Sequence, residues 1–146
     1  KPIHVPVNKE NFHPDLDAIE AAITDKTKML VVNSPNNPTG AVYTPEEITK
    51  LLGIAKKHDL WLISDEIYAR LNWTEWEHLS PASLEGGYER TIVITGWSKS
   101  FAMTGWRIGV VSGPEKVMRA MGKLQANACS HIPSFLMDAA LAALAS

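Results

Sequence analysis

The chain has 146 residues, 45% of them hydrophobic, so it is about the size of one domain and can bury a core. Its 14 basic and 16 acidic side chains give a net charge of -2, and without a basic run this argues against nucleic acid as a partner. One cysteine, Cys129, excludes an internal disulfide framework, and no apolar run reaches the roughly 18 residues of a membrane span. We therefore expect a cytoplasmic protein that contacts neither nucleic acid nor membrane.

The first half of the chain alternates predicted elements with strong turn signals. Residues 3–7 alternate in hydropathy and predict a short strand, and Asp15 is placed to cap a short helix. The continuous apolar run 29–33 is typical of a strand buried on both faces. Residues 34–40, with two prolines and a glycine, predict a rigid turn. Residues 44–47, Thr-Pro-Glu-Glu, then predict a helix start with a capping box.

The second half supplies three further strands. Residues 61–64 and 91–95 are apolar runs that follow the first strand at intervals of about 31 residues, as expected for parallel strands joined by crossovers. Residues 70–90 predict a loop with at most one helical turn. A fourth strand over 107–112 follows too closely for a crossover helix, so we expect it to run antiparallel.

Two helices complete the predicted elements. Pro114 opens a long helix, and Pro133 separates it from a final Ala-rich helix. The apolar stripe of the long helix is expected to face inward and comprises Val117, Met121, Leu124 and Ala128. The fold expected for residues 1–146 is thus α/β, a mostly parallel sheet with flanking helices and an antiparallel last strand. Because the chain starts without methionine and stops inside a helical pattern, we also expect it to be a piece of a longer protein.

Three unusual segments each follow a predicted strand directly. They are 36–40 (Asn-Asn-Pro-Thr-Gly), 65–68 (Asp-Glu-Ile-Tyr) and the stretch around Lys99. In a parallel sheet all three lie at the carboxyl ends of the strands, where open α/β sheets bind ligands. Aromatic and small residues surround Lys99, which predicts a buried lysine, and a buried amine is suited to form a Schiff base.

These residue types suit pyridoxal phosphate. A carboxylate such as Asp65 keeps the pyridine nitrogen protonated, and Tyr68 and Asn37 are suitable donors to the ring oxygen. Arg107 is a two-pronged donor for the phosphate, and Ile67 would present an apolar face to the ring.

Each residue also has a plainer interpretation. Asn37 is suited to shape a turn, Asp65 to cap a helix, and Tyr68 to pack half-buried in the core. Arg107 has Glu66 and Glu115 as alternative ion-pair partners. The five histidines show no metal-ligand spacing, so we predict no metal site.

The three segments, 36–40, 64–68 and 98–109, together resemble the class I aminotransferases, the aspartate aminotransferase family of fold-type I pyridoxal phosphate enzymes. The resemblance implies that the chain is the central part of the cofactor-binding large domain, without the small domain and the N-terminal part. It implies a homodimeric enzyme that transfers an amino group between an amino acid and a 2-oxo acid. This piece alone would then be inactive, because the family completes its site with the missing parts and the partner subunit.

The resemblance also implies roles for individual residues. Lys99 would form the Schiff base and shuttle a proton, while Asp65 pairs with the pyridinium nitrogen. Tyr68 and Asn37 would hydrogen-bond the ring oxygen. Arg107 would bind phosphate with Ser98 as a helper.

One position departs from the family pattern. Three residues before the lysine, where the family often has a phosphate-binding serine, this chain has Gly96. Two alternative functions remain open: a lyase or synthase of the same fold, and an aminotransferase-like sensor domain of a transcription regulator.

Overall fold

A four-stranded sheet forms the centre of the molecule, which we describe from a computed structural model over residues 1–145. The strands are β1 (Met29–Asn33), β2 (Trp61–Asp65), β3 (Thr91–Gly96) and β4 (Gly109–Ser112). They lie in the order β1-β2-β3-β4, the first three parallel and the last antiparallel to β3. The predicted α/β fold with an antiparallel last strand is therefore confirmed.

Five helices flank or extend the sheet. They are α1 (Leu16–Ala21), α2 (Pro45–Lys57), α3 (Trp97–Ser100), α4 (Glu115–Ala128) and α5 (Ser134–Leu144). The connection from β2 to β3 contains only a 3₁₀ turn, in agreement with the loop predicted there. Within residues 1–145, every helix is too short or too polar to cross a membrane.

The start of α2 forms as the sequence predicts. Thr44 Oγ1 accepts a hydrogen bond from the Glu47 amide at 3.2 Å, and Glu47 Oε2 accepts one from the Thr44 amide at 2.7 Å. His13 Nδ1 lies 2.8 Å from the same Glu47 oxygen, so the N-terminal segment is attached to this cap. Asp15 likewise caps α1, with Oδ1 accepting from the Ala18 amide. These contacts satisfy amide groups that a helix leaves without partners at its first turn.

The core lies between α2 and one face of the sheet. Leu51, Leu52 and Ala55 of α2 pack with Val32 of β1 and Leu62 of β2, and all five are almost completely buried. Each fully buried leucine contributes about 1.5–3 kcal/mol to folding. This packing holds β1 and β2 in register and so fixes where their ends lie.

Two strand predictions are wrong. Residues 3–7 form no strand in the part of the chain that the structure describes, and the sheet contains β1 to β4 alone. The fourth strand begins at Gly109 rather than at 107. Thr104–Trp106 forms a 3₁₀ turn, and Arg107 takes a left-handed conformation with φ of 54°, which ends the possibility of strand geometry there.

The inward-facing stripe predicted for α4 is also wrong within residues 1–145. Met121 is 39% exposed and Leu124 is 72% exposed, and α4 has no buried residue. An apolar stripe indicates that a helix has a face suited to burial, but it does not say which element covers that face.

Candidate functional site

The carboxyl ends of the three parallel strands bring the three predicted segments to one edge of the sheet. Asn33 at the end of β1 pairs in register with Asp65 at the end of β2, and Asp65 pairs with Ile94 of β3. Two residues later β3 ends at Gly96, and α3 begins at once. The turn after β1, the segment after β2 and the lysine helix are therefore neighbours.

The turn after β1 presents Asn37 to the segment after β2. The Asn37 amide donates to Asn33 Oδ1 at 3.0 Å, and the Asn36 amide donates to the Ala41 carbonyl at 2.8 Å, which closes the turn on itself. The Asn37 side chain, which is exposed, donates from Nδ2 to the Tyr68 hydroxyl at 3.3 Å. An amide and a phenol from two different strand ends thus meet.

Asp65 is half-buried at the end of β2, and the backbone around it is fixed. Its Oδ1 accepts a hydrogen bond from the Ile67 amide at 3.2 Å, which orients the carboxylate. Its carbonyl oxygen accepts from Asn33 Nδ2 and from the Ser34 amide. The segment therefore leaves β2 in a defined direction toward Tyr68.

Lys99 lies on α3 and points toward the same group. Its Nζ is 5.5 Å from the centroid of the Tyr68 ring, a cation–π distance. The expectation that Lys99 is buried is wrong for the described residues, because its side chain is exposed. The neighbouring aromatics pack elsewhere: Trp97 donates from Nε1 to the Ala140 carbonyl of α5, and the Phe101 ring lies under Arg70.

Gly96 leaves no space for a side chain at the end of β3. A Cβ atom there would lie 2.7 Å from the Ile108 carbonyl oxygen, 3.1 Å from Gly109 Cα and 3.3 Å from Ile67 Cδ1. Its backbone is extended, so the requirement for glycine is one of space rather than of conformation. The chain thus departs from the serine pattern at this position because β4 and Ile67 occupy the room.

Arg107 and Ser98 lie at the two ends of the segment that carries the lysine. Arg107 is exposed, and its Nη1 donates to the Thr104 carbonyl at 2.9 Å. The Thr104 hydroxyl in turn donates to the Ser98 carbonyl at 2.9 Å, which ties the two ends of this loop together.

The two carboxylates considered as partners of Arg107 have other partners. Glu66 lies against His78 and Ser80, and Glu115 pairs with Arg119 on α4. The predicted alternative of an Arg107 ion pair with either carboxylate is therefore wrong.

Sequence reasoning missed a second contact between the segment after β2 and the lysine helix. The Arg70 guanidinium carbon is 4.6 Å from the centroid of the Phe101 ring. Arg70 is two residues beyond Tyr68, and Phe101 is two beyond Lys99, so two cation–π contacts join these segments, and each segment supplies the cation of one contact and the ring of the other. The equal two-residue spacing in the two segments is the one feature of the sequence that could have indicated this contact. It can be interpreted only once the two segments are known to be neighbours.

Three of the side chains at the candidate site, Asn37, Lys99 and Arg107, are exposed. Two concavities, one lined by the loop 69–78 and one between α1 and α2, include none of the seven predicted residues. Among residues 1–145, no group of three or more His, Cys, Asp or Glu is arranged to hold a metal ion. The functional groups along this edge of the sheet are an amine, a phenol, an amide and a carboxylate, with a guanidinium at the end of the lysine loop.

Comparison with known proteins gives consistent matches over the whole chain. The family model described as aminotransferase class I and II matches residues 1–146. The aspartate aminotransferase of Pyrococcus abyssi is 42% identical over 145 residues, which are 99% of this chain and 37% of that protein. The aspartate/prephenate aminotransferase of Thermus thermophilus is 46% identical over 136 residues, 93% of this chain and 34% of that protein.

The fold also matches that of a solved structure. The crystal structure of an aromatic aminotransferase from Pyrococcus horikoshii superimposes with a TM-score of 0.93 and 42% identity, covering 96% of this chain and 38% of that one. The chain spans about a third of the length of the curated relatives it matches.

Proposed function

The chain belongs to the class I and II aminotransferases, and we propose that it forms the cofactor-binding part of a longer enzyme that transfers an amino group from an amino acid to a 2-oxo acid. The observation that carries the proposal is the group of contacts at the sheet edge. There the Lys99 amine faces the Tyr68 ring, and the Tyr68 hydroxyl accepts from Asn37.

The donor set fits pyridoxal phosphate. This cofactor, when bound, supplies an electron sink for the charge that develops at the α-carbon of the substrate. A carboxylate, a phenol and an amide on adjacent strand ends match the needs of a pyridinium nitrogen and a ring oxygen. The exposed side chain of Lys99 leaves its amine accessible to an aldehyde.

Lys99 would hold the cofactor as a Schiff base through Nζ and then carry the proton to and from the α-carbon of the substrate. Asp65, oriented by the Ile67 amide, would keep the ring nitrogen protonated. Tyr68 and Asn37 would donate to the ring oxygen, and their mutual contact aligns the two donors.

Phosphate binding would come from the ends of the lysine loop. Arg107 uses one nitrogen for the Thr104 carbonyl, and the remaining guanidinium donors are suited to two phosphate oxygens. Ser98 would assist, and Ile67, already seated against Gly96, would support the ring face. We place no phosphate donor at position 96, since a side chain has no room there.

The reaction class is better supported than any one substrate. Relatives with similar identity are named for aspartate, for aspartate and prephenate, and for aromatic amino acids. All of these names describe aminotransferases, which favours transfer over the lyase, synthase and sensor alternatives. The proposal places the enzyme in the cytoplasm, since its single, exposed cysteine allows no intrachain disulfide. It also includes a homodimer, since exposed apolar residues on α5 are available for burial by a partner subunit.

The test uses the full-length protein that contains this chain. With added pyridoxal phosphate we expect a near-visible absorbance band that borohydride abolishes and that Lys99→Ala lacks. An amino acid and a 2-oxo acid should then exchange their amino group without release of ammonia. Lys50→Ala, which removes an exposed lysine of α2, is the matched control and should keep the band. Retention of the reducible band in Lys99→Ala would refute the assignment.

A further inference from the structure

Glu66 is a buried carboxylate for which the proposed chemistry has no role. It is 7% exposed, and its amide donates to the Ile94 carbonyl at 2.8 Å, which extends the pairing with β3 one residue beyond β2. Buried side chains alternate along this strand, and the series ends at the sheet edge with Leu62, Ser64 and Glu66. Glu66 is thus the last inward-facing residue before the candidate site.

Each oxygen of this carboxylate has its own contact. Oε1 accepts from the Ser80 hydroxyl at 2.7 Å, and Oε2 lies 3.1 Å from His78 Nε2, which is within ion-pair distance but without the geometry of a hydrogen bond. The side chains of Glu66 and His78 are 8% and 14% exposed. A buried carboxylate is costly without partners, so these contacts strongly favour one placement of Glu66 and draw the loop that carries His78 and Ser80 onto the strand end.

The inward placement of Glu66 determines where its neighbours point. Because side chains alternate along an extended strand, Asp65 must then face the opposite side. Residues 67–70 form a turn, in which the Ala69 amide donates to the Glu66 carbonyl at 2.9 Å, so Glu66 also anchors the backbone that carries Tyr68. The Ile67 side chain packs against Gly96, since a Cβ atom added to Gly96 would lie 3.3 Å from Ile67 Cδ1. Ile67 therefore has a fixed packing partner at the end of β3. A slip of one residue would bury Asp65 and turn Glu66 toward the site.

We propose that Glu66, held by His78 and Ser80, is a positioning residue that fixes the direction of Asp65 and Tyr68 at the candidate site. The inference rests on the proposed function for what these two residues do. It assigns to Glu66 no contact with substrate or cofactor.

The experiment compares Glu66→Ala with Glu66→Gln in the full-length protein. Glutamine keeps an acceptor for Ser80 and a side chain of the same size against His78, whereas alanine leaves the Ser80 hydroxyl without its acceptor and removes the group packed beside His78. In the cofactor-free protein, exchange of the Ile67 amide, which is bonded to Asp65 Oδ1, should accelerate about tenfold in Glu66→Ala and remain near the parental rate in Glu66→Gln.

The second readout is the pH midpoint of the absorbance band with added pyridoxal phosphate. Donors at the ring oxygen keep this midpoint low, so displacement of Tyr68 in Glu66→Ala should raise it by about one pH unit, with rescue in Glu66→Gln. Glu46→Ala, which removes an exposed carboxylate of α2, should change neither readout. A purely structural role would lower the yield of folded protein but leave the midpoint of the folded fraction unchanged.

A folded Glu66→Ala protein with parental exchange and a parental midpoint would overturn the proposal. Should Glu66→Ala fail to fold, Ser80→Ala decides: a smaller shift of both readouts in the same direction supports the proposal, and parental values overturn it. A parental protein without a Lys99-dependent band would refute the proposed function instead. Exchange of the Ile67 amide in the cofactor-free protein would then decide whether Glu66 positions the segment.

Discussion

Replacing Gly96 by alanine tests the closest packing described at the candidate site. The added Cβ would lie 2.7 Å from the Ile108 carbonyl oxygen and 3.1 Å from Gly109 Cα, both of them backbone atoms that no side-chain rotation can move. Because the backbone at Gly96 is extended, the substitution adds no conformational strain of its own. The whole effect must come from overlap with the start of β4.

The expected cost follows from what has to move. Relief of the overlap separates β4 from β3 at the Gly96–Gly109 pair and weakens the bond from the Trp97 amide to the Ile108 carbonyl, now 3.3 Å. Overpacking costs about 1–3 kcal/mol and a lost hydrogen bond about 1 kcal/mol, so the free energy of unfolding should fall by about 2–4 kcal/mol.

Denaturant titration of the full-length protein measures this change. The matched control is Gly53→Ala on α2, where a new Cβ meets no atom within 4 Å and alanine should raise the free energy of unfolding by up to about 1 kcal/mol. A Gly96→Ala protein as stable as the parent would refute the packing argument, particularly if the glycine control behaves as expected.

Three further outcomes are expected. Tyr68→Phe removes the hydroxyl that accepts from Asn37, and kcat/KM of the full-length enzyme should fall about tenfold in steady-state assays; an unchanged value would exclude a role for the hydroxyl. Hydrogen bonds from Lys57 and His58 lower the pKa of Glu20, so the contact between α1 and the end of α2 stabilises the fold above the ordinary carboxyl pKa and is lost as pH falls through the lowered one. An NMR titration of Glu20 should therefore give a midpoint below that of an unfolded glutamate, and an ordinary midpoint would contradict the bond geometry. The 146-residue chain alone should show little or no transaminase turnover in a coupled assay, and robust turnover would contradict the proposal that it is one part of a longer enzyme.

The sequence predicts the sheet well because each strand carries a local signal. Short, largely apolar runs of four or five residues at intervals of about 31 predict parallel strands, and the short spacing to β4 predicts its reversed direction. The cap at Thr44 is encoded within four residues, so it too is predicted correctly. Local sequence patterns are sufficient to predict an element when its hydrogen-bonding partner lies nearby in the chain, as at Thr44, or when regular sheet geometry provides that partner.

Predictions failed where the outcome depends on distant atoms. The aromatics around Lys99 suggest burial, yet Trp97 packs on α5 and leaves the amine exposed. Arg107 directly precedes the apolar residues of the predicted strand 107–112, but it takes a left-handed conformation that the sequence pattern does not indicate. The pairing of Glu66 with His78 joins residues across a loop of irregular structure, for which sequence periodicity gives no guide.

The antiparallel return of β4 has a consequence for the engineering of this edge. Gly96 and Gly109 are register partners, so the twelve intervening residues start and finish at adjacent points of the sheet. The stretch that bears Lys99 is therefore a cassette with fixed anchor points. Splicing in the corresponding stretch of a relative, between two glycines kept unchanged, would replace the reactive amine and its surroundings while leaving the strand ladder intact.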